Sequence, residues 1–298
     1  MITLAQLDQE VARRTGPFFQ AAQDSQTPTT STTIAAYMPT LKSSALLGGP
    51  ENLWLLRRGI KADGTPATYN AQDRTRMVLS FDSASGRVIV DRNWAYPMQP
   101  NELADFTHLH PDQELRVAVM AGLRRCFLED LIAAVQTSGY GDVDLTYQAP
   151  WITNPTQVTR VQYGWYKPFG EAPFETTVQQ GHVMLRNTSG PYAPANVWVT
   201  ALRPAWTWVN NADSTTGPTD DEDQLAVDLD YAASAGHIEA WHLWPSHMFA
   251  AAAGSLQASQ KDAAAEFTRQ SLIWAPPGVR RIGFNEVVGL PLMGSVAR

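Results

Sequence analysis

The run His108-Leu109-His110-Pro111-Asp112 is the sharpest candidate for chemistry in this sequence. Two imidazoles and a carboxylate at this spacing can bind zinc or a pair of metal ions, as in metal-dependent hydrolases. The fuller hydrolase motif continues with a histidine, whereas Gln113 stands here, and NELADFT precedes the run where a continuous apolar strand is expected. We therefore favour a second interpretation, in which the run leads into a helix and Asp112 lies at the positive end of the helix dipole.

Other polar groups give weaker indications of chemistry. His237, His242 and His247 are spaced by five residues and would not converge on one face of a helix. The acidic run 220–223 lacks the glycine and the alternating oxygen ligands of a calcium loop, and Cys126 is predicted on an apolar helix face, where a thiolate is disfavoured. Nucleophile-elbow, phosphate-loop and dinucleotide motifs are absent from the sequence. We predict a protein that is not an enzyme, with no catalytic residue, no metal and no cofactor.

Aromatic residues suggest binding instead. They are concentrated in a segment predicted to be β-structure: Trp151, Tyr163, Trp165, Tyr166, Trp198, Trp206 and Trp208. Exposed rings can stack on sugars, so Trp165, Trp206 and Trp208 are candidates for carbohydrate contact. Alternating aromatic residues on strands more often fill the core of a sandwich, which is the interpretation that we favour.

Composition restricts the class of protein. The chain has 298 residues, 44% hydrophobic residues and a formal net charge of -7, which argues against a nucleic-acid clamp. Cys126 is the single cysteine, so an intrachain disulfide is excluded. The charged N-terminus does not resemble a signal peptide, and no uncharged apolar run approaches the ~20 residues of a membrane span. We expect a soluble structural protein without membrane contact.

The N-terminal part predicts one short helix and a small β region. Thr3 and Gln6 form a capping box, and Gly16-Pro17 ends the helix. Leu4, Leu7 and Val11 form its single apolar stripe, which needs a partner surface. Three strands follow, predicted at 53–57, 76–81 and 87–91, with residues 82–86 closing a hairpin between the last two.

A long, mostly buried helix is predicted at 111–136, where it would join two β-rich segments. Pro111 suits its first turn, and an apolar face forms at helical spacing. That face consists of Leu115, Val119, Leu123, Cys126 and Phe127. Ser138-Gly139 would end the helix. An apolar arc this wide predicts contact on more than one side.

The remaining chain predicts strands and then helices. Candidate strands are 142–147, 159–166, 176–185, 197–202 and 225–229, followed by helices at 246–257 and 259–274. This spacing favours a β-sandwich or jelly roll. The expected fold class is α+β, with a helical core, a small β hairpin region and an inserted antiparallel β-sandwich. The expected domains are 1–141, 142–231 and 232–298.

The N-terminal half resembles head-to-tail adaptors, or neck connectors, of actinophage-like tailed bacteriophages. The resemblance covers about residues 1–136. It is carried by TLAQLDQEVARRTG at 3–16, RMVLSFDSASGRVIV at 76–90, the segment 94–96, and LHPDQELRVAVMAGLRRCFLED at 109–130.

This resemblance implies a structural virion protein of the neck, made in the cytoplasm of the host bacterium. It would form a homo-oligomeric ring between the portal protein and a tail-completion or stopper protein, with the double-stranded genome passing through without specific binding. Candidates for inter-subunit or portal contacts are Leu4, Leu7, Val11, Arg124 and Arg125, together with the C-terminal tail. Two alternatives remain: a tail or decoration protein whose sandwich binds host carbohydrate, and a hydrolase that uses the HxHxD run.

Overall fold

The structure is a computed structural model that describes residues 1–24, 35–38, 40–41, 49–68, 73–136, 142–164, 170–171, 174–187, 196–243 and 253–274. The chain divides into two compact units. Unit 1 comprises Met1–Leu4, Met120–Ala235 and Ala263–Arg298. Unit 2 comprises Ala5–Val119 and Gly236–Asp262. Both helices and antiparallel sheets are present, so the fold class is α+β.

Unit 2 is built on a six-stranded antiparallel sheet with the order β2-β7-β4-β5-β6-β3. Its strands are β2 (Phe18–Ala22), β3 (Ala35–Tyr37), β4 (Trp54–Lys61), β5 (Thr75–Asp82), β6 (Arg87–Val90) and β7 (Glu102–Thr107). The predicted β5–β6 hairpin and the strand at β4 are confirmed. The expected helical core is wrong, because the buried apolar cluster of this region lies on the sheet and includes Leu55, Val78, Val88 and Phe106.

The N-terminal helix α1 (Leu4–Thr15) is confirmed at its predicted position. Its apolar stripe is buried, and on its polar side Asp8 pairs with Arg116 at 2.6 Å. Gln9 reaches the sheet and donates to Asp105 of β7 at 3.1 Å. Asp105 is itself buried and paired with Arg58 of β4. A polar network therefore attaches α1 to the face of the sheet opposite the apolar cluster.

A second buried ion pair lies on the apolar face of the same sheet. Arg57 and Glu102 are 1% and 0% exposed, and two hydrogen bonds of 2.7 and 2.8 Å join the guanidinium to the carboxylate. The ring of Trp94 contacts two guanidinium groups, with Arg57 5.1 Å and Arg76 4.4 Å from the ring centroid. Burying charges is favourable only where each is paired and hydrogen-bonded. This face is consequently sensitive to the loss of either partner.

Unit 1 contains two antiparallel sheets that share one apolar core. The four-stranded sheet has the order β11-β10-β14-β8, and the three-stranded sheet has the order β12-β13-β9. The strands are β8 (Phe127–Gln136), β9 (Val143–Asp144), β10 (Val158–Gly164), β11 (Gly170–Glu171), β12 (Phe174–Gln179), β13 (His182–Asn187) and β14 (Asn196–Pro204). Val183 and Leu185 of one sheet join Val199 and Ala201 of the other in the core. In the described residues this is a sandwich of four plus three strands, smaller than an eight-stranded jelly roll.

A third sheet in unit 1 has short strands in the order β1-β17-β15-β16. These are β1 (Ile2–Thr3), β15 (Trp208–Val209), β16 (Ala212–Asp213) and β17 (Gln224–Leu225). Ile2 lies opposite Leu225 in this sheet. The first residues of the chain are thereby held by a segment more than two hundred residues away in sequence.

The predicted long helix at 111–136 is wrong. A π-helical turn at Pro111–Leu115 leads into α2 (Arg116–Arg125), and the chain then enters strand β8. The apolar face itself is correct, because Leu115, Val119 and Leu123 are all buried. Beyond Cys126, however, pairing of β8 with β14 replaces the helix, although the composition of β8 favours one.

Several other boundaries differ from the prediction. The region 142–147 is β9 followed by the short helix α3 (Leu145–Gln148), and 176–185 is a β12–β13 hairpin. A strand is predicted at 225–229, but its last residue is the first residue of helix α4 (Leu229–Leu243). The sequence did not predict this helix. The last described helix is α5 (Ala253–Trp274), which extends the helix predicted at 259–274. Much of the helix predicted at 246–257 lies outside the described residues.

None of the helices in the described ranges is long and apolar enough to cross a lipid bilayer.

His237 of α4 is held in its neutral form. Burial lowers its pKa to about 4, and the positive charge of Arg14 adds to this effect. The indole N–H of Trp241 donates to Nε2 of His237 at 3.1 Å, so this nitrogen acts as an unprotonated acceptor. Protonation would remove that acceptor and place a charge in a buried position.

Removing the charge of Glu102 should strongly destabilise unit 2. Glu102→Gln leaves the Arg57 guanidinium buried without its counter-charge, which costs about 3–5 kcal/mol. Urea unfolding measures the loss. Glu10→Gln, in the exposed Arg13–Glu10 pair, is the matched control and should cost about 0–1 kcal/mol. The double variant Arg57→Met/Glu102→Met should lose less than Glu102→Gln, and equal stability of Glu102→Gln and wild type would contradict this account.

Stability should also fall on acidification because of His237. The unfolded chain binds a proton at this histidine near its ordinary pKa of about 6.5, whereas the folded chain does so only near 4. The contribution of neutral His237 to the free energy of unfolding is complete above pH 6.5. It is lost as the pH falls from 6.5 to 4, and the loss is about 2 kcal/mol at pH 5. Urea unfolding at pH 7.5 and pH 5 should show this loss in wild type and in His242→Gln, but not in His237→Gln. An undiminished loss in His237→Gln would refute the assignment.

Candidate functional site

The HxHxD run caps a helical turn. His110 precedes the π-helical turn, and its Nδ1 accepts from the backbone N–H groups of Asp112 and Gln113, each at 3.3 Å. Asp112 accepts from Arg74 at 2.7 Å and from the hydroxyl of Thr75 at 2.9 Å. Two of the three candidate metal ligands, His110 and Asp112, are therefore engaged with the protein itself, and the run leads into a helix as the second interpretation predicts.

His108 lies on the other side of this segment, beside Gly16. A Cβ built on Gly16 would stand 3.3 Å from the Cβ of His108, which places this histidine against the end of α1. The ring of His110 lies instead 4.3 Å from the ring of Trp54. No group of three or more His, Cys, Asp or Glu side chains able to hold a metal occurs among the residues that the structure describes.

The acidic loop and the cysteine also have structural roles. Asp223 accepts from the backbone N–H groups of Thr219 and Asp220 at 2.7 and 3.0 Å, and from the side chain of Asn210 at 2.7 Å. It therefore closes a turn instead of binding a cation. Cys126 is buried, and burial raises the pKa of its thiol, which disfavours the nucleophilic thiolate.

The residues predicted to contact portal or neighbouring subunits are mostly buried within the chain. Leu4, Leu7 and Val11 are 0%, 1% and 0% exposed, so they pack internally and are not accessible to a partner. Arg125 is half-buried. Arg124 is exposed and lies over the ring of Trp206, 5.1 Å from its centroid. Of this set, Arg124 is the residue that the structure presents to the outside.

A cavity of about 590 Å³ lies within unit 1, and we call it the tryptophan cavity. Its lining includes Arg124, Phe127, Trp151, Asn154, Gln157, Arg203, Trp206, Asp213 and Thr215. Its size falls within the range of about 300–1,000 Å³ that is typical of small-molecule sites. The lining combines two large aromatic rings with several polar groups, and it is formed between the end of β14 and the loops at 150–157 and 213–215.

Arg203 holds the wall of this cavity together. Its side chain is 3% exposed and lies between two rings, 5.0 Å from the centroid of Trp151 and 4.2 Å from that of Trp208. It pairs with Asp130 of β8 at 3.0 Å and with Asp213 of β16. One guanidinium therefore joins three strands, because Arg203 itself belongs to β14.

The predicted aromatic candidates have different positions. Trp206 lines the cavity, whereas Trp208 packs on Arg203, and Trp165 lies outside the described residues. Trp151, Asn154 and the Arg203 network were not among the predicted site residues. An arginine at the end of an apolar, aromatic strand was the available signal, because a charge in such a position requires buried partners.

A second surface feature is the C-terminal end of α5. Three consecutive apolar residues there, Leu272, Ile273 and Trp274, are 61%, 50% and 52% exposed. The two preceding polar residues, Gln270 and Ser271, are only 4% and 6% exposed. This inverts the usual arrangement, in which apolar side chains are buried and polar ones face the solvent. An exposed apolar cluster of this kind is typical of a surface that meets a partner.

Gly217 shapes the wall beside Trp206. Its φ is +77°, and an added Cβ would lie 2.9 Å from both Met120 Cε and Trp206 Cε3. Gly217→Ala should therefore cost about 1–3 kcal/mol more than Gly181→Ala, because the rigid indole cannot easily move. Gly181 has a similar φ of +84°, but a Cβ added there would have no atom within 4 Å. The difference between the two variants therefore measures the cost of the steric clash alone. Thermal unfolding provides the measurement, and equal losses in the two variants would contradict the close packing.

No protein-family model, curated protein or solved structure matches the chain. The resemblance of residues 1–136 to phage neck proteins consequently rests on the sequence pattern alone. The geometry of unit 1 contributes two separate features, the tryptophan cavity and the exposed end of α5.

Proposed function

We propose that this protein is a structural component of a tailed-phage virion and not an enzyme, acting as a head-to-tail adaptor. In this role it forms a homo-oligomeric ring in the neck, with the portal protein on one side and a tail-completion or stopper protein on the other. The proposal combines the sequence resemblance of the N-terminal half with a surface suited to protein contact. It does not depend on a helical core.

The observation that carries the proposal is the exposed apolar end of α5. Full burial of a large apolar side chain is worth about 1.5–3 kcal/mol, and Leu272, Ile273 and Trp274 each retain at least half of their exposure. Docking of this cluster against another protein would therefore contribute several kcal/mol toward assembly. We name these three residues the α5 cluster.

A ring could form through the α5 cluster if it meets a different surface on the next copy of the chain. A contact in which one surface meets a different surface on the next copy generates a ring when the rotation closes. The α5 cluster is one such surface, and it replaces Leu4, Leu7 and Val11 as the proposed site of assembly. Val117, on α2, is 45% exposed and offers a further apolar contact.

The net charge supports passage of DNA through such a ring. The formal charge of -7 disfavours tight binding of a polyanion. Specific and nonspecific DNA binding both depend on clustered lysine and arginine side chains that neutralise phosphates. A ring of acidic subunits would let the genome pass without retaining it.

Polar substitution of the α5 cluster should abolish assembly without unfolding the subunit. Leu272→Ser/Trp274→Ser removes two of the three apolar groups of the cluster, so rings seen by negative-stain electron microscopy and light scattering should be replaced by monomers. The thermal midpoint should stay close to wild type, because both side chains are exposed. Tyr147→Ser/Val178→Ser, which removes an exposed aromatic and an exposed aliphatic group elsewhere in unit 1, should leave the rings intact.

Location in the particle tests the role itself. Antibody labelling of virions should place the protein on the neck axis, between head and tail. Labelling at the tail tip, or wild-type protein that remains monomeric with portal protein present, would overturn the adaptor proposal.

A further inference from the structure

We propose that the tryptophan cavity binds an anionic saccharide, one whose sugar ring carries a carboxylate. This inference concerns unit 1 alone and does not rest on the adaptor role. It follows from three properties of the cavity: half-buried aromatic rings, polar atoms that no other described residue uses, and one guanidinium that pairs with no carboxylate of the described residues.

The aromatic rings are fixed in place before any ligand binds. Trp151 has the guanidinium of Arg203 5.0 Å from its centroid, and Trp206 has that of Arg124 at 5.1 Å. Such cation–π contacts favour the observed placement of the ring by about 0.5–1 kcal/mol at an exposed site. Both indoles line the cavity and are half-buried. Rigid aromatic surface of this kind favours the apolar C–H face of a sugar ring at little entropic cost.

Unused polar atoms surround these rings. Asn154 accepts from Thr156 with its side-chain oxygen, which leaves the amide N–H₂ group free to donate. Asp213 binds Arg203 through Oδ1, which leaves Oδ2 as an acceptor. In the part of the chain that the structure describes, the hydroxyl of Thr215 is not bonded to another residue. A ligand with several hydroxyl groups, each both donor and acceptor, matches this set.

Gln157 does not belong to the ligand-binding set, although it lines the cavity. Its oxygen accepts from Thr153 and Asn154, and its nitrogen donates to the carbonyl oxygens of Trp151 and Leu202. It positions the loop that carries Trp151 and Asn154. The hydrogen bonds of Gln157 thereby order the loop, and the side chains of Trp151 and Asn154 remain available to a ligand.

The charge distribution selects an anionic ligand. Arg203 is compensated by the carboxylates of Asp130 and Asp213. Arg124 lies exposed at the cavity, and within the described ranges no carboxylate pairs with it. A guanidinium binds a carboxylate through two parallel hydrogen bonds, which makes it specific for such a group. A carboxylate on the sugar would supply the missing partner while its ring packs against the indoles.

Trigalacturonate and its fully methyl-esterified form provide matched probes, because esterification removes the charge and keeps the rings. In titration calorimetry the wild type should bind trigalacturonate saturably, and the ester at least about tenfold more weakly, as expected for loss of a charge-assisted hydrogen bond. Arg124→Gln should weaken trigalacturonate binding by a similar factor and bring the two probes to equal affinity. Arg87→Gln, an exposed arginine of unit 2, is the control and should bind like wild type.

The indole N–H signals in NMR spectra of the wild-type protein provide a second readout. This experiment needs no variant. Trigalacturonate should shift the signals of Trp151 and Trp206 and leave that of Trp54, in unit 2, unchanged. Absence of saturable binding, equal affinity of wild type for the ester, or unchanged binding in Arg124→Gln would each overturn the proposal.

Discussion

Within each of the two units, buried guanidinium groups join strands and loops that are distant in sequence. Transfer of a charged side chain out of water costs several kcal/mol unless all partners are in place, so each such group fixes the backbone and side chains around it. In unit 2, Arg57 binds Glu102 and the carbonyl oxygens of Tyr96 and Pro97, and Arg76 binds those of Arg92 and Asn93. The irregular segment between β6 and β7 is thus held by two arginines, with the ring of Trp94 in contact with both.

Unit 1 uses Arg203 in the same way, and here the guanidinium also lines the tryptophan cavity. Because the guanidinium joins β14 to Asp130 and Asp213 and packs between Trp151 and Trp208, it determines the shape of the tryptophan cavity. The cavity depends on contacts among strands that are distant in sequence. Its rings and polar groups are consequently ordered in the free protein, and preorganisation of this kind lowers the cost of binding.

The cavity and the α5 cluster offer different chemistry. The cavity combines aromatic surface with a guanidinium that no described carboxylate pairs with and with hydrogen-bonding groups, which suits a small polar ligand. The α5 cluster is apolar and exposed, with Trp274 at its end, which suits contact with a protein surface. The two proposed roles rest on separate residues of unit 1, so a virion protein could assemble through one feature and recognise a saccharide through the other.

Local signals in the sequence determined much of the N-terminal part: helix α1, the β5–β6 hairpin, the apolar face of α2 and the entry of the HxHxD run into a helix. These elements depend on neighbouring residues, whose side chains act within one or two turns. The fold of the chain after α2 was determined by tertiary contacts. β8 has the composition of a helix and became a strand, because its pairing with β14 outweighs a propensity of a few tenths of a kcal/mol per residue. The Arg57–Glu102 pair and the Arg203 network join residues 45 and 73 positions apart, and such partners are selected by the packing of strands, which no local pattern records.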